Sequence, residues 1–125
     1  MSLNPEVKEK WVAALRSGEY SQGEGVLKDV PEGDSTPKYC CLGVLCEIAV
    51  QEGVIKKVPL MNHNAGKSRV GVYLPRKVAK WAGLKDISDG RKMGDVDGTE
   101  QGRLATMNDT GNTFGAIADT IEEDL

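Results

Sequence analysis

No apolar run in this 125-residue sequence approaches the ~20 residues that a membrane-spanning helix needs, which excludes a helical membrane protein. The start, Met1-Ser2-Leu3-Asn4-Pro5-Glu6, has no basic region followed by an apolar stretch, so no secretory leader is expected there. Cysteine is scarce and odd in number. Cys40, Cys41 and Cys46, two of them adjacent, do not form the framework of a secreted, disulfide-stapled domain. Histidine occurs once, as His63. There is no phosphate-cradling Walker loop, no dinucleotide fingerprint and no G-x-S-x-G elbow. Internal repeats and coiled-coil heptads are absent as well. What these absences leave is a soluble, cytoplasmic protein with one domain over residues 1–125, large enough for a single core.

A further absence is regional. Residues 54–85 carry no carboxylate but eight basic groups: Lys56, Lys57, Lys67, Arg69, Arg76, Lys77, Lys80 and Lys85. The rest of the chain sets its other eight basic groups against all nineteen acids, a net charge of −11 behind the overall −3. A positive surface on an acidic body suits a compact anion. A long polyanion is repelled by the flanking segments, so a nucleic-acid polymer is not the expected partner, and neither is a membrane.

The order of elements is mixed, and the expected fold is α+β: one small domain of short antiparallel strands with about four helices. A first helix follows from Asn4 as N-cap, Pro5 at the first helical position and Glu6 at the positive end of the dipole. Val7, Trp11, Ala14 and Leu15 share one face of it, which makes Trp11 a core residue, and Ser17-Gly18 ends the run. Residues 25–28 and 38–41 read as strands joined by a polar turn containing Pro31 and Gly33. The apolar run 42–50 reads as a helix ending near Gly53, with Leu42, Leu45, Cys46 and Ala49 on its apolar face and Glu47 and Gln51 outward. Residues 54–60 and 69–74 read as strands flanking the loop that carries His63. Leu74-Pro75 then opens a short helix over 76–81 that Gly83 closes. Residues 85–103, rich in glycine and acids, lack periodicity and read as a mobile loop. Asn112 or Thr113 caps the last helix, whose buried stripe is Phe114, Ile117, Ala118 and Ile121. Its end, Glu122-Glu123-Asp124, opposes the dipole and favours fraying.

Catalytic and metal chemistry find little support. Cys40, Cys41, Cys46 and His63 amount to four soft donors, but adjacent cysteines on a strand face opposite ways, and neither C-x-x-C nor H-x-x-x-H spacing occurs. Core packing is the reading for the thiols, and no cofactor or metal is expected. No base stands in a derivable relation to a cysteine nucleophile, so the expectation is a protein without catalytic residues. Ligand binding is better supported. Arg69, Arg76 and Lys77 suit phosphate, two of them where a helix begins and backbone N–H groups can join in. Tyr73 and Trp81 flank that start, either as packing groups or as stacking partners for a base. Asn108 and Asp109 open the run Asn108-Asp109-Thr110-Gly111-Asn112-Thr113, which is either a turn plus N-cap or a polar surface for a ribose.

Certain segments together form a recognisable pattern. Trp11, Ala14-Leu15, Ser17-Gly18, Tyr20 and Gly25 are followed by Tyr39-Cys40-Cys41-Leu42-Gly43-Val44-Leu45-Cys46, then by Leu74-Pro75 and Trp81-Ala82-Gly83-Leu84. Leu104-Ala105, Met107-Asn108-Asp109, Gly111, Thr113-Phe114 and Ile117-Ala118-Asp119 complete it. The pattern resembles a family of small proteins encoded by tailed bacteriophages and prophages. It carries no catalytic signature and transfers no functional residue. By analogy with small phage proteins that counter host defence, the resemblance implies a homo-oligomer that sequesters a nucleotide immune signal, of cyclic ADP-ribose or cyclic oligonucleotide type. An inhibitor that binds a host enzyme, or a hydrolase of signalling nucleotides, is the alternative.

Overall fold

In the computed structural model, which describes residues 3–23, 27–29, 36–58, 74–85 and 99–125, Asn4 caps the first helix as its side-chain chemistry requires. Its Oδ1 accepts the N–H of Glu6 at 3.0 Å. This helix, α1 (Pro5–Arg16), is followed by three two-residue strands: β1 (Ser21–Gln22), β2 (Lys28–Asp29) and β3 (Lys38–Tyr39). Four more helices follow among the described residues: α2 (Cys41–Gln51), α3 (Arg76–Ala82), α4 (Glu100–Asp109) and α5 (Phe114–Asp124). The fold is α+β.

The strands form one sheet in the order β1-β3-β2. β2 pairs antiparallel with β3, as the hairpin reading requires, with Lys28 opposite Tyr39. β1 was not expected and pairs parallel to β3, with Gln22 opposite Tyr39. The sheet is therefore mixed, not purely antiparallel.

α2 is the central element. Eight of its residues are buried: Cys41, Leu42, Gly43, Val44, Leu45, Cys46, Ile48 and Ala49. Such burial on all sides is what a helix with only one charged residue, Glu47, favours. Gly43 permits the close approach on one side, because a Cβ there would fall inside the carbonyl of Leu27. On another side Trp11, fully buried, donates Nε1–H to the carbonyl of Cys41 at 2.9 Å. α1 also packs along α5, where Val7, Trp11 and Leu15 meet a stripe of Phe114, Ile117, Ala118 and Ile121 in the shared core. Arg16 bridges Asp119 and Glu122 at 2.6 Å each, and Arg103 reaches Asp124 at 2.6 Å. The acidic end of α5 thus meets two arginines from outside the helix, which offset the unfavourable dipole.

Two expectations are corrected. Residues 54–58 form no strand. Instead Gly53, at φ 79°, turns the chain so that its N–H bonds to Val50 and that of Val54 to Ala49, the paired bonds that close a helix C-terminus. Residues 59–73, including the rest of that expected strand pair and the His63 loop, lie outside the described residues. The second correction concerns residues 85–103, read as a loop. Thr99 caps α4 by accepting the N–H of Gly102 at 3.1 Å, so residues 100–103 are its first turn. Residues 86–98 are outside the described residues. Among the described residues no helix is long and apolar enough to cross a membrane.

Candidate functional site

α3 turns its apolar side inward and its cations outward. Val78, Ala79 and Ala82 are buried, while Arg76, Lys77 and Lys80 are exposed. Arg76 and Lys80, four residues apart, share a face. Pro75 stands at the N-cap and offers no side-chain hydrogen bond, so two cations sit at the uncapped positive end of the helix. A dipole of this sense disfavours cations there, and an arriving anion relieves the repulsion. Lys77 and Lys80 have no ion-pair partner among the described residues. Gly83, at φ 85°, ends the helix, with its N–H bonded to Lys80 and that of Leu84 to Ala79. Beyond it, Gly83, Leu84, Lys85 and Glu100 line a cleft of about 380 Å³.

The orientation of α3 is set from α4. Gln101, fully buried, accepts the N–H of Leu74 through Oε1 at 2.9 Å and donates Nε2–H to the carbonyl of Lys85 at 2.8 Å. One carboxamide thereby fixes the residues on both sides of the basic helix.

Asn108, seven residues on and on the same face of α4, performs a similar task elsewhere. Its Oδ1 accepts from the backbone of Cys41 at 3.2 Å and from Gln22 Nε2 at 3.0 Å. Its Nδ2 donates to the carbonyl of Gly23 at 2.7 Å and to Asp109 at 3.3 Å. The run from Asn108 reads in sequence as either a turn plus N-cap or a polar surface for a ribose; the structure places Asn108 inside α4, and the turn begins only at Thr110. Asn108 is a fully buried helical residue that ties β1 to the start of α2. Asp109, exposed, is the last residue of α4, about 12 Å along the axis from the Gln101 end. The N-cap role falls to Thr113, whose Oγ1 accepts the N–H of Ala116 at 3.2 Å.

The sequence-derived binding residues thus divide. Arg76, Lys77 and Trp81 come together on α3, with Trp81 half-buried against the core. Asn108 and Asp109 stand at the far end of α4. Arg69 and Tyr73 lie outside the described residues.

All three cysteines are buried and unpaired. They do not alternate along a strand, because Cys40 is the N-cap of α2 and Cys41 its first residue. Burial pushes the Cys40 thiol up to about 11 and raises those of Cys41 and Cys46 as well. They remain thiols at neutral pH, neither nucleophiles nor ready metal ligands. Among the described residues no group of three or more histidine, cysteine or acidic side chains is placed to hold a metal.

The sequence reading passed over one further arrangement. Glu47 and Gln51 are four apart on the outward face of α2, and two tyrosines cover them. Tyr39 donates its hydroxyl to Glu47 Oε2 at 3.5 Å, and Gln51 Nε2 donates to the hydroxyl of Tyr20 at 3.4 Å. The rings meet edge to face with centroids 5.5 Å apart. Burial, and then the charge of Glu47, raise the Tyr39 phenol above its usual range, so it stays protonated and keeps donating. With Glu19 these side chains line a cleft of about 310 Å³. The outward pair was legible in the helical spacing. Its tyrosine cover was not, because Tyr20 reaches it only through the parallel pairing of β1 with β3.

From residue 3 to residue 125 the sequence matches a family described as a domain of unknown function (DUF8296). The chain belongs to that family. No curated protein and no solved structure matches it. The match takes in the scaffold elements just described: Trp11 under α2, Gly43 against Leu27, and the α4 carboxamides.

Chemically, the described site offers charge and hydrogen bonding. Exposed cations on a short helix can hold an anion, and the half-buried indole of Trp81 beside them can offer an edge or a face to a planar group.

Proposed function

We propose that this protein binds and sequesters a host nucleotide immune signal without catalysis, as a phage-encoded anti-defence protein working in the host cytoplasm. The observation that carries the reading is the outward row of Arg76, Lys77 and Lys80 on a helix with no acidic residue and no N-terminal side-chain cap. Arg76 and Lys77 hold phosphate oxygens, Trp81 stacks on or edges a base, and Asp109 accepts from ribose hydroxyls if a second copy brings it near. Asp109 ends α4 at the opposite end from Gln101, whose carboxamide holds the flanks of α3. This is one reason to expect a homo-oligomer, since an interface can surround a nucleotide more completely than one small domain can. Sequestration needs only tight binding, and a nanomolar dissociation constant corresponds to about 12 kcal/mol.

A thermal-shift panel of cyclic dinucleotides, cyclic trinucleotides and ADP-ribose derivatives, followed by heat release and mass spectrometry, tests the reading. A raised melting temperature with intact nucleotide in the supernatant supports it. Recovery of a cleaved product makes the protein a hydrolase, and no shift with any nucleotide removes the reading in favour of a protein partner.

A further inference from the structure

We infer that the tyrosine-covered cleft on α2 is a binding site for an organic cation, an alkylammonium or guanidinium group, separate from the basic helix. Glu47 is the only charged residue on α2, and it is half-buried. A carboxylate taken partly out of water is costly without compensation. Here its compensation is meagre: one long hydrogen bond from Tyr39, and no ion-pair partner among the described residues. Glu19 adds a second carboxylate at the rim, and the cleft of about 310 Å³ holds a group the size of a guanidinium with part of its alkyl stem.

The rings favour the same guest. Aromatic faces attract cations within about 6 Å of the centroid. The Tyr39 ring already does so, with the ammonium of Lys28 at 5.7 Å from its centroid. Tyr20 stands at right angles to Tyr39, which leaves a corner of one face and one edge rather than the parallel slot that a purine requires. Two carboxylates at such a corner repel phosphate, so nucleotides belong at α3 and not here. Donors held in a fork, as in guanidinium, match Glu47 Oε1 and Oε2 together.

The cation can belong to a free amine or to an arginine side chain of a protein partner. Both are tested by titrating the full-length protein with agmatine and, separately, with a blocked tripeptide whose central residue is arginine. Amide NMR signals of Tyr20, Tyr39 and the Gln51 side chain provide the readout. Saturable shifts confined to these groups are expected, with affinity falling about tenfold in Glu47→Gln, a variant whose NMR spectrum also reports whether the fold is intact. Glu19→Gln, at an exposed position on the rim, serves as a second variant and is expected to weaken agmatine binding about threefold without disturbing the core. A tighter tripeptide assigns the site to a partner's arginine, and equal or tighter agmatine assigns it to a free amine. Shifts that grow linearly with concentration, match those from sodium chloride, or persist unchanged in Glu47→Gln overturn the inference. Lys77→Glu, which tests the nucleotide reading, leaves agmatine binding unchanged, so the two proposals fail independently.

Discussion

Gln101 on α4 accepts the backbone N–H of Leu74 at 2.9 Å, in a place where both residues are fully buried. The same carboxamide holds the carbonyl of Lys85, so one side chain braces both flanks of the basic helix, alongside the bond from the Asn4 N–H to the carbonyl of Ala82 at 2.7 Å. Gln101→Leu keeps the volume but strands a buried N–H and leaves a carbonyl without its donor. A loss of about 2–4 kcal/mol is expected, read by urea denaturation. Amide exchange should accelerate most over residues 74–85. An unchanged denaturation midpoint contradicts the clamp.

Gly43→Ala tests the close approach of α2 to Leu27. The new methyl group collides with a backbone carbonyl, which cannot rotate away as a side chain does. Destabilisation of about 3 kcal/mol is expected, against a gain of about 1 kcal/mol for the same substitution in an unobstructed helix. Calorimetry distinguishes the two by the sign of the Tm change.

Lys77→Glu separates function from stability. Replacing a cation at the positive end of α3 by an acid should stabilise the fold by about 0.5 kcal/mol while weakening nucleotide binding. If binding survives the charge reversal, the phosphate site does not lie on α3.

The thiols predict a silent native state. Ellman's reagent at pH 7.5 should find none of the three cysteines within minutes, and all three after unfolding in guanidinium. Rapid native labelling of even one contradicts the packing around α2.

Alkaline pH should destabilise the protein through the same groups. Cysteines in the unfolded chain ionise near pH 8.5, about the model-peptide value, whereas Cys40 holds its proton to about 11. Above pH 8.5 the folded state therefore binds more protons than the unfolded state, and stability falls as pH rises. The slope reaches about 1.4 kcal/mol per pH unit for each such thiol. Melting temperatures between pH 8 and 10.5 should decline less steeply for Cys46→Ala, measured relative to its own value at pH 7, because Cys46 is also raised.

The elements that the sequence revealed are those whose buried stripe is apolar. α1, α2 and α5 announce themselves through Val7-Trp11-Leu15, Leu42-Leu45-Ala49 and Phe114-Ile117-Ile121, and Asn4 and Thr113 cap as their side chains dictate. α4 was hidden for the opposite reason. Its buried residues are Gln101, Gly102, Leu104 and Asn108, two carboxamides, a glycine and one leucine, so its helical period does not register as hydrophobic. Such residues look like loop material until their partners are known, and those partners are 27 and 67 positions away in sequence. The cationic face of α3 was readable because charge is local to the sequence. The tyrosine cleft was not, because it depends on a two-residue parallel pairing with almost no pattern of its own.

The two tryptophans have unequal surroundings, and the protein therefore carries two built-in optical probes. Trp11 is sealed beneath α2 with its indole N–H committed to Cys41, so its emission reports only whether the core is intact. Trp81 is half-open to solvent among cations, where iodide ions gather and a bound anion displaces them. Iodide quenching before and after a ligand is added can thus follow occupancy of α3 without a label, with Trp11 as the internal reference.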